Sequence, residues 1–243
     1  KFHCPGFIKI GDGTLKCWTT HGDLTAEEAF AESCNVVFAQ LAMKLGRDKI
    51  DEYAKKFGLG SRVGLQEDGR AQFYGEEPGS IFLKEYTSDR LLANSGIGQE
   101  DVRLTPLQAA HLMAVVANEG EGGQPRLVAS LRTEDGLLYK EYDRADEKPM
   151  LDKSVALELK KWMSQTIAAD KGTAHSMVDA AMTVAGKTGT AQTDDPHKNH
   201  QWFAGFAPAD NPEYVVVVMA ESVPDTRTRV TELVAEQIIN ALP

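Results

Sequence analysis

The sequence predicts an α+β fold in which an antiparallel sheet is packed with helices, and three observations carry that prediction. Met182 to Thr193, Gln201 to Pro208 and Glu213 to Ser222 read as successive strands joined by short polar turns, which implies an antiparallel meander. Capped helical segments precede the strands, and an amphipathic segment follows them. Helices therefore stand before and after a meander rather than alternating with strands, which excludes a βαβ layout.

With 243 residues, 42% hydrophobic and 26% charged, the chain is long enough to bury a substantial core. Its net charge of −10 disfavours nucleic acid or an anionic membrane as the main partner, while leaving room for a local basic pocket. The longest apolar run, Tyr214 to Ala220, is strand-sized. The opening at Lys1 is read as a processing boundary.

The segment before Asp23 is turn-rich. Thr25 and Glu28 form a capping-box pattern, so a helix is expected from Thr25, and a second from Asn35 to Leu45 with Val37, Phe38, Leu41 and Leu45 inward. Between them lies the polar break Glu32-Ser33-Cys34-Asn35. Residues 58–104 hold no period and are expected to be loop-dominated with short elements. Thr105-Pro106-Leu107-Gln108 announces a helix ending near Asn118, with Thr as cap and Pro at the first helical position. Short strands and turns are expected over 121–150, and a helix from Ser154 to Ala169. The last helix, Thr228 to Ala241, is expected to bury Val230, Leu233, Val234, Ile238 and Ala241.

The cysteines are Cys4, Cys17 and Cys34. The first two flank the turn Ile10-Gly11-Asp12-Gly13. Either a disulfide joins them, as in an oxidising compartment, or they are reduced and partly buried thiols; spacing alone does not decide. Asp194, Asp195, His197 and His200 fall at a hairpin and read as a solvated tip, so no metal is assigned. Gly58-Leu59-Gly60 is not a dinucleotide fingerprint, because Val63 stands where the third glycine belongs.

Gly186-Lys187-Thr188-Gly189-Thr190 is the most informative stretch. A phosphate-binding Walker loop would need glycine where Ala181 stands and a helix where another strand follows. The alternative is an edge strand lining a cleft. There Lys187 supplies charge, Thr188 and Thr190 supply hydroxyls, and Gly189 lets a ligand approach the backbone. An ordinary amphipathic strand with a glycine defect also fits. Ser33-Cys34-Asn35 alone fits a helix cap.

Taken together, these segments resemble the class B penicillin-binding transpeptidases, whose marks include Ser-x-x-Lys, a Ser-x-Asn and Lys-Thr-Gly. The resemblance rests on Ala29 to Leu45, Leu104 to Ala110, Lys171 to Ala174, and Ala185 to Gln192 followed by His200 to Pro208. Cys34 replaces the Asp of Ser-Asp-Asn. No serine has lysine three positions later; Ser80 and Lys84 are four apart and fall after the Ser-x-Asn, and are read as a loop.

The resemblance implies a β-lactamase/transpeptidase-like fold. The expectation is a domain cut downstream of its nucleophile, with a turn-rich segment over 1–24, a helical and loop region over 25–180, and the meander with its helix over 181–243. It implies serine acyl transfer on peptidoglycan stem peptides ending in D-Ala-D-Ala, with β-lactams as mimics and no cofactor. Ser33 would relay a proton, Asn35 would bind the substrate amide, and Lys187 would supply positive potential. Thr188, Gly189 and Thr190 would receive the terminal carboxylate, and the Thr190 amide would be half of an oxyanion hole. The parent is expected outside the cytoplasm, anchored to the membrane and working with a glycan polymerase. A D,D-carboxypeptidase or β-lactamase-type hydrolase, and a non-catalytic sensor module, remain as alternatives.

Overall fold

A computed structural model describes residues 1–64, 66–67, 70–72, 75–82, 88–224 and 229–243. The turn-rich opening forms two antiparallel pairs. Strand β1 (Phe2–Cys4) pairs with β4 (Gly22–Leu24), and β2 (Phe7–Ile10) with β3 (Gly13–Lys16) through the Gly11-Asp12 turn. The expected capping box starts α1 (Ala26–Ala31): Thr25 accepts from the Glu28 amide, and Glu28 accepts from the Thr25 amide. Helix α2 (Asn35–Leu45) has the expected span and ends at Gly46, whose φ of +78° suits glycine.

Helix α3 (Arg47–Lys56) was not expected. Of its residues only Ala54 is buried, so it has almost no apolar stripe. The short pairs β5 (Gln66–Glu67) with β6 (Arg70–Ala71) and the helix α4 (Asp89–Ser95) punctuate the loop region. Helix α4 is capped by Ser88, which accepts from the Leu91 amide, and seven residues are too few to show a period. Lys84 lies outside the described residues, whereas Ser80 is tied into the loop by its hydroxyl donating to the Asp101 carbonyl at 2.7 Å.

Helix α5 (Pro106–Ala117) carries both halves of the Thr105–Gln108 capping box. Gln108 is nearly fully buried. Its Nε2 lies 3.0, 3.2 and 2.7 Å from the carbonyls of Gly58, Ser61 and Pro78 and shares its two hydrogens among them, which fastens those three residues to the core. After it come β7 (Glu121–Gly122), β8 (Ser130–Arg132), β9 (Leu138–Glu141) and β10 (Lys148–Pro149), paired β7 with β10 and β8 with β9. Helix α6 (Lys153–Ala168) follows, then a 3-10 turn at His175–Met177.

The meander is as expected: β11 (Ala185–Gln192), β12 (Lys198–Ala207) and β13 (Tyr214–Pro224) form an antiparallel sheet in that order, with β11 at an edge. Alternate residues face opposite layers. Phe203, Ala207 and Val216 meet Ala235 and Ile239 of α7 (Val230–Asn240), while Ala185 and Phe206 meet Met113 of α5 and Met163 of α6. Gly186 is forced by packing, since a Cβ there would stand 2.5 Å from Phe203 Cζ.

The expected apolar stripe of the last helix is corrected. Thr228 lies outside the described residues, and the face against the sheet is Thr231, Ala235 and Ile239, spaced by four. Leu233, Val234 and Ile238 are exposed. Small Ala235 lets the helix seat closely, and the helix carries more apolar residues than its contact line can take. The cysteines are not bridged to one another: Cys4 and Cys34 are buried and Cys17 partly so, which is the second of the two states left open. At the β11–β12 tip, Asp195 accepts from the His197 amide, while His200 Nδ1, already inside β12, accepts from the Ser222 amide of β13.

Candidate active site

Helix α1 ends against α2 with almost no linker, and this produces the first half of the site. The Ser33 amide donates to the Phe30 carbonyl and that of Cys34 to Ala29, so the chain turns within two residues. The turn puts Ser33 at φ +54°, a region that L side chains other than Asn and Asp seldom occupy. Cys34 takes the cap position of α2 without making a side-chain cap bond, so the Ser and Asn beside it are not cap residues. Asn35 Nδ2 donates instead to the Lys16 carbonyl at 3.2 Å, which orients its amide toward the β3 side.

The second half is β11. Lys187 pairs with Ala204, Thr188 with Phe203, Gly189 with Trp202 and Thr190 with Gln201, so β12 takes one edge of the strand and the other edge faces the cleft. Successive side chains leave opposite faces. Lys187 reaches toward the α1–α2 junction, where Nζ donates to Ser33 Oγ at 3.0 Å and to its neighbour's carbonyl at 3.0 Å, 5.8 Å from the Phe30 ring centroid. Thr188 meets Thr173, hydroxyl to hydroxyl at 2.6 Å. The Thr173 amide in turn donates to the Ala31 carbonyl, so one residue ties α1 to β11. Thr190 is exposed at the cleft, and its carbonyl accepts from Gln99 Nε2 at 3.3 Å.

Burial pulls the Lys187 amine down to about 8, against a smaller opposing pull from the Glu232 carboxylate. The group is still mostly cationic at neutral pH and close to giving up a proton. It borders a cleft of about 1180 Å³ that also takes in Ser33, Asn35, Thr188, Gly189 and Thr190. Among the described residues, five cationic side chains line it, Lys16, Arg90, Arg103, Lys187 and Arg229, against one acidic side chain, Glu100. A chain of net charge −10 has thus gathered positive potential at one place, which suits an anionic ligand.

All six residues singled out in the sequence lie on this one cleft. Thr173 and Gln99 were not singled out. Thr173 sits in the Lys171-Gly-Thr-Ala segment, and no local pattern marks its hydroxyl as a partner for Thr188. Chemically, the arrangement offers a poised amine on a hydroxyl, hydroxyls beside a strand edge, and an open, positively charged cleft.

The family description "Penicillin binding protein transpeptidase domain" matches residues 1–242. The chain is 34% identical over 208 residues to the peptidoglycan D,D-transpeptidase PbpA of Mycolicibacterium smegmatis, covering 82% of the chain and 39% of that protein. It is 30% identical over 246 residues to the peptidoglycan D,D-transpeptidase MrdA of Haemophilus influenzae, covering 90% of the chain and 37% of that protein. Among solved structures it is similar to penicillin-binding protein A from M. tuberculosis as its penicillin G acyl-enzyme complex. There the TM-score is 0.80 at 28% identity, over 97% of the chain and 53% of that structure. The chain therefore spans about two fifths of the length of these curated relatives.

Proposed function

The chain belongs to the penicillin-binding protein transpeptidase family, and on that premise we propose that it provides the Ser-x-Asn and Lys-Thr-Gly walls of a peptidoglycan D,D-transpeptidase active site. The observation that carries the reading is the 3.0 Å contact between Lys187 Nζ and Ser33 Oγ, which joins the two motifs into one hydrogen-bonded unit. Because no serine among the 243 residues has lysine three positions later, the reading assigns the nucleophile to a Ser-x-x-Lys segment outside them.

In the proposed reaction, the nucleophile's oxygen attacks the carbonyl between the two terminal D-alanines of a stem peptide. The carbon–nitrogen bond breaks, the serine's proton ends on the leaving amine, and D-alanine departs. A neighbouring stem's amine then attacks the ester, forms the cross-link and returns the proton to the serine. Ser33 passes the proton toward the leaving nitrogen, and Lys187, with its lowered affinity for a proton, keeps that hydroxyl polarised. Asn35 holds the stem's amide. Thr188 and Thr190 take the terminal carboxylate in the cationic cleft, Gly189 leaves room for it, and the Thr190 amide supports the developing oxyanion. β-Lactams enter as mimics of the same terminus.

An extracytoplasmic location, a membrane anchor and a glycan polymerase as partner belong to the same reading. Among the described residues, no helix is long and apolar enough to cross a membrane.

The test uses the chain extended by the segment that precedes Lys1 in its gene, a stem pentapeptide ending in D-Ala-D-Ala, and an amine acceptor. Release of D-alanine with a cross-linked product supports the proposal. Release of D-alanine with only the free acid supports a carboxypeptidase instead, and no release contradicts acyl transfer at this site.

A further inference from the structure

The structure also gathers groups that the acyl-transfer reading does not use. Cys4 at the end of β1, Cys17 after β3, His21 before β4 and Cys34 at the cap of α2 converge, with one ligand atom from each lying within 4.8 Å of every other. The Nδ1 of His21 is 3.5 Å from the sulfurs of both Cys4 and Cys17, and the Cys17 and Cys34 sulfurs are 4.0 Å apart.

These spacings match a metal tetrahedron. With zinc–sulfur bonds of about 2.3 Å and zinc–nitrogen bonds of about 2.0–2.1 Å, a tetrahedral centre holds its sulfurs about 3.8 Å apart and each sulfur about 3.5 Å from the nitrogen. Ordinary hydrogen bonding explains the cluster less well, because one ring nitrogen cannot take part equally with two thiols. A disulfide would join two sulfurs and leave the third thiol and the imidazole without a role.

The surroundings point the same way. His21 Nε2 is buried without a hydrogen-bond partner and lies 3.9 Å from the Glu32 carboxylate. If Nδ1 binds a metal, the proton resides on Nε2 and faces that carboxylate, which is the usual way a ligating histidine is fixed. Gly6, two residues past Cys4, turns the chain at φ +92°, and its carbonyl accepts from the Cys17 amide at 2.8 Å, which brings the two cysteine-bearing segments together. Cys34 also sits at the positive end of α2.

We propose that Cys4, Cys17, His21 and Cys34 form a structural zinc site that fastens the two N-terminal strand pairs to the Ser33-Cys34-Asn35 turn. Three sulfurs and one imidazole in a closed tetrahedral set favour zinc over the harder divalent ions, and four protein ligands leave no open position for catalysis. Binding displaces three thiol protons, so zinc with three thiolates and a neutral imidazole carries a net charge of −1. The proposal explains why cysteine stands at the centre of the Ser-x-Asn motif: its side chain, fully buried in a cluster with Cys4, Leu24 and Val37, anchors the strained serine beside it. Loss of the metal would loosen that turn.

The experiment measures metal directly and involves no substrate, so its outcome is separate from that of the acyl-transfer reading. The full chain, purified without added chelator, is analysed for zinc by mass spectrometry. It is then stripped with a chelator under reducing conditions and titrated with cobalt(II). About one zinc per chain is expected, with tetrahedral cobalt bands and a thiolate-to-cobalt charge-transfer band that zinc abolishes. Cys17→Ser and His21→Ala should each lower zinc affinity at least about tenfold, and the cobalt titration of the stripped wild-type chain covers the case in which a variant does not fold. A chain that carries no zinc and gives no thiolate–cobalt band overturns the proposal, as does a native disulfide between any two of the three cysteines.

Discussion

Lys187 and Ser33 are 154 positions apart in the chain, and their side chains meet at 3.0 Å in a half-buried pocket. The described polar partners of Nζ are a hydroxyl and a carbonyl, both neutral. Keeping a cation there opposes folding, and the proposed role in acyl transfer gives a reason to retain it.

Lys187→Met should therefore separate stability from activity. It removes a buried charge and keeps most of the side-chain volume. Chemical denaturation should show stability unchanged within about 1 kcal/mol or increased. β-Lactam acylation of the extended chain should fall at least about a hundredfold. Equal loss of both would mean that the lysine is chiefly structural.

The lowered proton affinity of Lys187 gives a pH dependence of defined sign. Its folded-state value is about 8 and its ordinary value 10.5, so between these the unfolded chain retains a proton that the folded chain has released. The cost of burying the charge is full below about pH 8 and is relieved as pH rises through that window. The wild type should thus gain stability relative to Lys187→Met from pH 8 to 10.5, by roughly 3 kcal/mol at most. Paired denaturant titrations at several pH values measure the difference, and a flat difference would show that the amine is solvated.

Ser33 at φ +54° predicts an order among substitutions. Glycine adopts this conformation without the Cβ clash, so Ser33→Gly should be more stable than Ser33→Ala by about 1 kcal/mol. Both should lose acylation of the extended chain, since both lack the hydroxyl. Thermal melts of the two variants check the order. Alanine matching glycine would mean that the turn relaxes.

Gly186→Ala tests how β11 is seated. The new methyl would enter the Phe203 ring, which is fully buried and cannot swing aside. A loss of about 2–3 kcal/mol is expected by denaturation, whereas a neutral result would mean that the strand shifts freely at this edge.

Much of this organisation was legible in the sequence because its signals are local. The Thr25–Glu28 and Thr105–Gln108 boxes each lie within one turn, and both form. The β11–β13 meander shows itself through short polar turns between apolar runs. Helix α3 was missed because it buries only Ala54, and a solvent-facing helix has no stripe to detect. The face of α7 was misread because contact with the sheet selects the small Ala235 over the larger Leu233. The candidate site was legible through its two motifs, but their distance was not, because tertiary packing sets it. His21 escaped notice for the same reason: only the pairing of β1 with β4 brings it beside Cys4.

Intact-mass spectrometry after penicillin treatment tests the central claim most directly. It compares residues 1–243 alone, the chain extended upstream, and the extended chain carrying Lys187→Met. The account predicts no adduct on residues 1–243, one penicilloyl group on the Ser-x-x-Lys serine of the extended chain, and far slower labelling of the variant. A stoichiometric adduct on Ser33 or Ser80 of residues 1–243, or wild-type labelling of the Lys187→Met chain, would contradict it.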